Sequence, residues 1–339
     1  MRGEIQQKLW TWKERLGNLL RPHYPLVAVG LEGNRVTAVR LERKPKQKKL
    51  VLEGCHQEEI SADAMEFSFT RVNLRSPEDL QARLAHLLER VGPAGGPVSV
   101  LLPDTVARVN LLAFPELPIR RKDILPMLKF RLQKTIPFRM DEAVLGFDFL
   151  GKDDTGKIQV LATVLHRNVL RQFEDLFRNL GWQPGLVDLS SMNLLNLYRR
   201  IAGSGPQDDR DRLLVNFTED FLTLLVVRND EIKFFRSKGR ASLKHTDGMT
   251  PRGALRELRS SLTYYRERLG GQGFGGGFLR STIAFEEEFR RGLEEEIDGP
   301  VKNLDLASCL QMDPEKFPGN GRSMQPFLPL IGMALGRRD

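Results

Sequence analysis

The stretch Phe114-Pro-Glu-Leu-Pro-Ile-Arg-Arg-Lys-Asp-Ile-Leu-Pro-Met-Leu-Lys-Phe-Arg-Leu-Gln-Lys-Thr-Ile-Pro-Phe138 reads as one amphipathic helix with a hard boundary at each end. Pro115 and Pro118 keep the approach extended, because proline has no amide donor and pushes the residue before it out of the α region. Asp123 is placed to cap the helix, which puts Pro126 at the third helical position, where an amide needs no intrahelical partner. Leu125, Leu128, Leu132 and Ile136 recur at three- and four-residue steps and predict one buried stripe. Pro137 is expected to end the helix, and the acids after it lead into a strand over 143–150.

Working outward, Leu19-Leu20-Arg21-Pro22 precedes a strand predicted at 26–31, its return at 35–41, and a third strand at 99–104. Beyond the central stretch come a strand at 157–165, a helix at 167–180 and the run Gly181-Trp-Gln-Pro-Gly-Leu-Val-Asp-Leu-Ser190. A strand at 213–217 follows, then a helix at 255–268 carrying Arg259-Ser-Ser-Leu-Thr-Tyr-Tyr265, and a tail Ile331-Gly-Met-Ala-Leu-Gly336. This order of elements resembles the PilM family, actin-like cytoplasmic proteins of type IV pilus assembly. The resemblance implies an α/β fold: a duplicated, ribonuclease-H-like, actin-like ATPase fold with a small inserted subdomain. It also implies a division into an amino-terminal amphipathic helix (1–22), a first half (23–203) with an insert near 105–155, and a second half (204–339). Residues 202–209, Ala202-Gly-Ser-Gly-Pro-Gln-Asp-Asp209, make the most linker-like stretch.

Composition sets the class. The 339 residues suffice for two groups of subdomains with real cores, and 40% apolar with 28% charged is ordinary for a globular protein. No run approaches the roughly 20 apolar residues that cross a bilayer, and no signal-peptide pattern is present, so a cytosolic location is expected. Cys55 and Cys309 predict neither a disulfide framework nor a zinc site. The net charge of +8 comes from bases scattered among acids, apart from Arg43-Lys-Pro-Lys-Gln-Lys-Lys49. That run reads as a solvated loop between strands, or as a contact for an acidic partner or headgroups. No aromatic interleaving or DNA-binding signature points to nucleic acid.

Residues 4–20 form a second amphipathic signal: Ile5, Leu9, Trp12, Leu16 and Leu19 share a face, Trp10 and Leu20 widen it, and Lys8, Lys13, Arg15 and Arg21 take the other. Such a helix either packs on a core or partner, or lies on an anionic membrane with Leu9, Trp10, Trp12, Lys13 and Leu16 at the surface.

The resemblance implies an ATP site between two hairpins, where glycines let the backbone approach phosphate and acids organise magnesium. The family's first hairpin reads Gly-Ile-Asp-Ile-Gly-Ser-Ser-Ser. Here it is Gly30-Leu-Glu-Gly-Asn-Arg35: Glu32 stands near the acid, and Gly33-Asn34 reads as a tight two-residue turn. Arg35 suits a solvated strand end or an anion contact. At the second hairpin, Asn216 takes the acid's place and Thr218 the glycine's, with Glu219 and Asp220 adding negative charge. Arg280 and Ser281 stand where the adenosine glycines belong, and Gly270–Gly277 reads as a linker, lacking the Gly-Lys-Ser/Thr of a phosphate loop. The eighteen residues 237–254 are too few for the family's nucleotide-capping subdomain. No cofactor and no metal are therefore expected, and the chain reads as a pseudo-ATPase.

The function implied is a non-enzymatic cytoplasmic adaptor, peripheral to the inner membrane. It would bind the cytosolic tail of a PilN-like membrane protein in the groove beside the insert and link it to the pilus motor ATPases. Phe114, Pro115, Leu117, Pro137 and Phe138 are the expected partner-binding residues, or else part of the insert's own core. The alternatives are an ATP/Mg-binding actin-like switch and a GspL-like cytoplasmic component of type II secretion. Members of the latter group continue into a transmembrane helix, and Gly336-Arg-Arg-Asp339 does not. The five dispersed histidines, His23, His56, His86, His166 and His245, offer no nucleophile–base pattern.

Overall fold

Two β-hairpins, one in each half of the chain, seed two sheets of the same design. The computed structural model describes residues 25–44, 49–92, 95–118, 120–202, 209–240, 250–313 and 324–336. The amphipathic segment 1–22, with Leu9, Trp10, Trp12, Lys13 and Leu16, lies outside them, as do 45–48 of the basic run, 203–208 of the linker and 241–249 of the shortened stretch.

In the first half, β1 (Val27–Glu32), β2 (Arg35–Glu42) and β3 (Leu50–Glu59) run antiparallel. β4 (Gly96–Leu102) then lies parallel to β1 on its other side, after a crossover through α1 (Pro77–Val91). Pro77 opens α1 at a position that needs no donor, and Leu80, Leu84, Leu87, Leu88 and Val91 give it one buried face. β1 is buried on both faces, so Ala28, Val29 and Leu31 form a nearly continuous apolar run instead of an alternation.

The insert follows as β5 (Ala107–Phe114), α2 (Arg121–Leu132), β6 (Ala143–Lys152) and β7 (Ile158–His166), with an antiparallel sheet ordered β5-β7-β6. Its helix departs from the predicted one at both ends. α2 starts at Arg121, so Asp123 sits inside the first turn, its amide bonded to the Arg120 carbonyl, and does not cap. Pro126 is consequently interior, which the helix tolerates on an exposed side. The buried row is Ile124, Leu128, Leu132 and Ile136, a pure four-residue step, while Leu125 is half-buried beside it. The helix stops at Leu132, short of Pro137. There the Leu132 carbonyl takes the Thr135 amide (2.8 Å), the Ile136 amide (3.2 Å) and the Thr135 hydroxyl (2.9 Å), which closes the ladder into a turn.

The chain returns through α3 (Arg167–Asn179) to β8 (Trp182–Leu189), parallel to β4, and on to α4 (Ser190–Ala202). The second half repeats the design. β9 (Asp211–Phe217), β10 (Phe221–Arg228) and β11 (Glu231–Gly239) run antiparallel, α5 (Pro251–Arg268) crosses over, and β12 (Phe274–Ser281) joins parallel to β9. α6 (Glu286–Ile297), β13 (Val301–Lys302), β14 (Leu310–Gln311) and α7 (Leu328–Leu335) complete the chain. The orders β3-β2-β1-β4-β8 and β11-β10-β9-β12-β13 are one topology used twice, and β14 adds to the edge of the first sheet. α5 begins at Pro251, not at 255, because the Thr250 hydroxyl caps it by accepting from the Gly253 amide. The glycines 275–277, expected in a linker, belong to β12, whose register shifts between Phe274 and Gly277 as it passes Pro300.

Between the two sheets α4 and α7 cross at backbone contact. A Cβ on Gly332 would sit 1.9 Å from the Asn193 carbonyl oxygen. Leu194, Leu195 and Leu197 meet Leu328, Leu330 and Ile331 in the largest apolar cluster, which joins the halves beneath the hairpin turns.

Candidate functional site

The β1–β2 and β9–β10 turns face each other across the seam between the halves. Gly33 has φ +59°, which a two-residue hairpin turn needs and glycine supplies without strain. Its amide donates to the Asp220 carboxylate of the opposite turn. Asp220 is pushed up to about 6, chiefly by burial, with the Gly33 amide opposing and the Glu32 charge adding to the rise. In the second turn the Thr218 hydroxyl accepts from the amides of Asp220 and Phe221, both at 3.2 Å. Thr218 thus fills the concavity that glycine would leave open, and these amides bind their own chain.

Beneath the turns, Arg280 is the largest fully buried side chain of the described residues, 1% exposed. β12 carries it directly opposite Asn216 of β9. Its guanidinium donates to Glu32 Oε2 at 2.7 Å, Asn216 Oδ1 at 3.0 Å, and the carbonyls of Gln325 (2.9 Å) and Pro326 (3.4 Å). Glu32 Oε1 accepts from Ser190 Oγ at 2.7 Å. Asn216 Nδ2 donates to Ser190 Oγ (3.0 Å) and Ser191 Oγ (2.9 Å), so one amide group bridges the arginine to the start of α4. Glu32, Asn216 and Arg280, far apart in the chain, form one buried network. Ser281 lies beside it, its amide donating to the Gln325 side chain at 3.3 Å.

A second acid completes the network. Asp104, 1% exposed, accepts from the Ser191 amide (3.0 Å), the Ser191 hydroxyl and the Thr223 hydroxyl (2.7 Å). Burial pushes its carboxyl up to about 6 against the pull of these donors. Asp104, Ser190, Ser191, Thr223 and Gln325 were not legible as site residues. The only local signal was the pair of serines opening a helix right after a strand ending in Asp188-Leu189.

What remains between the turns is a cavity of about 20 Å³ edged by Glu32, Gly33, Asn34, Arg35, Thr218 and Thr282. That is space for about one water. A larger recess of about 290 Å³ opens beside it, between Arg35, Ser281–Ala284 and the acids Glu286 and Glu287 at the start of α6. Arg35 lines both, and its Nε has no hydrogen-bond partner among the described residues.

The residues expected to bind a partner are not brought together. Phe114 is buried in the insert core with Ile124, Leu128, Phe147 and Val160, and Leu117 packs half-buried on the same cluster, which gives both a structural role. Pro115 is exposed beyond the end of β5. Pro137 is exposed and Phe138 half-buried at the opposite end of α2. There Phe138 packs tilted against Phe69 (5.0 Å between centroids) and edge-on against His166 (4.6 Å). Phe69 comes from the first half, so Phe138 marks the junction of insert and first half. The loop 68–73 at this junction is built around Asn73, fully buried, whose side chain bonds the Ser68 amide and the Ser68 and Arg71 carbonyls, and it presents Val72 67% exposed.

Residues 29–251 match the family model described as type IV pilus assembly protein PilM. Among curated proteins none matches in sequence. A solved PilM-PilN type IV pilus biogenesis complex contains a chain similar in structure, with TM-score 0.74 and 17% identity, covering 93% of this chain and 98% of that one. A protein of actin-like ATPase fold and unknown function from Bacteroides thetaiotaomicron is similar at TM-score 0.51 and 10% identity, covering 90% and 95%. These likenesses establish the actin-like fold. Nucleotide proteins of this fold place phosphate and metal between the two hairpin turns. The residues between the turns do not fit that group as they stand: two turns spend their amides internally, a guanidinium lies between the acid and amide side chains, and the space between the turns holds about one water, the larger recess opening to one side toward Glu286 and Glu287.

Proposed function

The chain belongs to the type IV pilus assembly protein PilM family, and from that premise we propose that it is a non-enzymatic adaptor of pilus assembly working at the cytoplasmic face of the inner membrane. The observation that carries this reading is Arg280, buried between Glu32 and Asn216 where the fold's nucleotide would lie. A permanent cation on a side chain joins the halves without ligand, so the assembly is a fixed platform and not a nucleotide-driven hinge. On this reading no ATP, magnesium or nucleic acid takes part.

The partner we propose is the cytosolic tail of a PilN-like membrane protein, held at the junction where Phe138 meets Phe69 beneath the Val72 loop, with pilus motor ATPases as further partners. The likeness to the chain of a PilM-PilN complex supports it. No helix among the described residues is long and apolar enough to cross a membrane, and the adaptor reading places it beside one. The test is binding of a fluorescent ATP analogue with magnesium, run beside a thermal shift. No binding at millimolar nucleotide is expected; micromolar binding overturns the pseudo-ATPase reading. A pull-down from membranes that returns only soluble proteins overturns the partner.

A further inference from the structure

The outer face of α2 takes no part in the seam or in the junction, and it carries a charge pattern of its own. Phe130 is 73% exposed, the largest exposure among the large hydrophobic side chains described. At about 100° per residue, Lys129 and Arg131 flank it on either side of the helix. Lys122 continues the Lys129 flank two turns earlier, and Lys134 stands in the turn just beyond the helix end. All are exposed. Among the described residues none of Lys122, Lys129, Arg131 and Lys134 pairs with an acid, whereas nearby Arg139 is tied to Asp141 at 2.7 Å. One acid, Asp123, lies on the same face, near the opposite end of the helix from Lys134.

We propose that this face of α2 is a membrane-contact surface that docks on anionic phospholipid headgroups, with Phe130 entering the headgroup zone and Lys122, Lys129, Arg131 and Lys134 around it. The physics favours a lipid surface over an acidic peptide. Phe130, Lys122, Lys129 and Arg131 stand exposed on one helix and Lys134 just past its end, so the face is a ridge, which a deformable surface accommodates and a peptide does not grip. An exposed aromatic ringed by unpaired cations gains from both terms at a headgroup layer: burial of the ring and attraction of each cation to the negative surface potential. The position suits the platform, because the opposite side of α2 is locked by Ile124, Leu128 and Leu132 into the insert core. Contact here would fix the orientation of the whole insert against the bilayer.

The proposal rests on charge and exposure alone and stands whether or not the seam binds nucleotide. Its test is flotation of the full chain with vesicles of phosphatidylethanolamine and phosphatidylglycerol, against vesicles of phosphatidylcholine. Each basic residue near an anionic surface contributes about 1 kcal/mol, about fivefold in partitioning. Lys129→Gln/Arg131→Gln/Lys134→Gln is therefore expected to lower partitioning by about a hundredfold, and Phe130→Ala by several-fold, with unchanged circular dichroism and melting. Added salt should weaken the wild type and hardly affect the triple variant. Absence of flotation, equal flotation with phosphatidylcholine, or a triple variant within twofold of wild type overturns the proposal. The last result would assign membrane contact to other residues, the segment 1–22 first among them.

Discussion

Replacing Arg280 by methionine tests the seam most directly. The change keeps an unbranched stem out to about the Nε position and removes a guanidinium that satisfies Glu32 Oε2, Asn216 Oδ1 and the Gln325 carbonyl, all within 3.0 Å. The arginine side chain is fully buried and that of Glu32 is 16% exposed, so the stranded carboxylate has little water to turn to. Breaking a buried pair by removing one partner costs about 3–5 kcal/mol, and the two neutral acceptors lie within that range rather than beyond it. In a chain of 339 residues such a loss lowers the melting temperature by roughly 4–7 °C. Glu32→Leu, which strands the cation instead, should cost a similar amount. The double variant should cost less than the sum by about 2 kcal/mol or more, because it leaves neither charge unpaired. The assay is urea unfolding of all four proteins as a double-mutant cycle. A methionine variant within about 1 kcal/mol of wild type, or an additive cycle, would refute a closed seam and mean that water enters between the hairpins.

The seam should also respond to pH. Asp104 and Asp220 both have folded pKa values raised to about 6, above the unfolded value of about 3.9, so the folded state holds extra protons between those limits and their contribution to stability rises as pH falls through 6. Burial lowers His56, which acts in the opposite direction. The readout is therefore the difference between wild type and Asp220→Asn, whose amide oxygen still accepts from Gly33: the variant should gain about 1–2 kcal/mol on wild type between pH 5 and 7.5. Gly332→Ala should destabilise by about 3 kcal/mol or fail to fold, because its methyl meets the Asn193 carbonyl. Gly146→Ala, where a Cβ meets nothing within 4 Å, should be near neutral, and equal effects would discredit the helix crossing. Asn73→Ala should cost about 1–3 kcal/mol and speed hydrogen exchange of residues 68–73, and unchanged exchange would mean that the loop is held by other means.

Local chemistry made the hairpins readable. Gly33-Asn34 between two apolar runs can do little except turn, and Thr218 where a glycine would open a phosphate turn announces a filled one. What could not be read is the meeting of Glu32 and Arg280, 248 residues apart. No local preference in β12 distinguishes a buried arginine from a surface one; its burial is decided by Asn216 in the neighbouring strand and by Glu32 from the other half. The phase of α2 was lost for a related reason. Leu125 and Ile124 are equally good core residues by composition, and only the sheet beneath selects the four-residue row. The family resemblance leaves Phe114 as either a binding residue or insert core, and only its place at the end of β5 shows it buried in that core. The glycines before β12 resembled a linker, and only the neighbouring Pro300 segment makes them part of a strand.

The residue types at the seam follow from counting charge. Glu32, Asp220 and Asp104 are already three acids within one buried region, and Arg280 is the cation that touches Glu32. An aspartate at 216 would add a fourth beside Asp104, and it has no hydrogens to give. Asparagine accepts from Arg280 with one end and donates to Ser190 and Ser191 with the other, leaving the serine hydroxyls free to donate to Glu32 and Asp104. Each donor then has an acceptor in a single direction of proton donation, from Arg280 and Asn216 through the serines to the two acids. Arginine at 280 and asparagine at 216 are therefore one device. On the adaptor reading proposed above, a chain that builds the cation into β12 has no use for an acid at 216 or for an open turn glycine at 218.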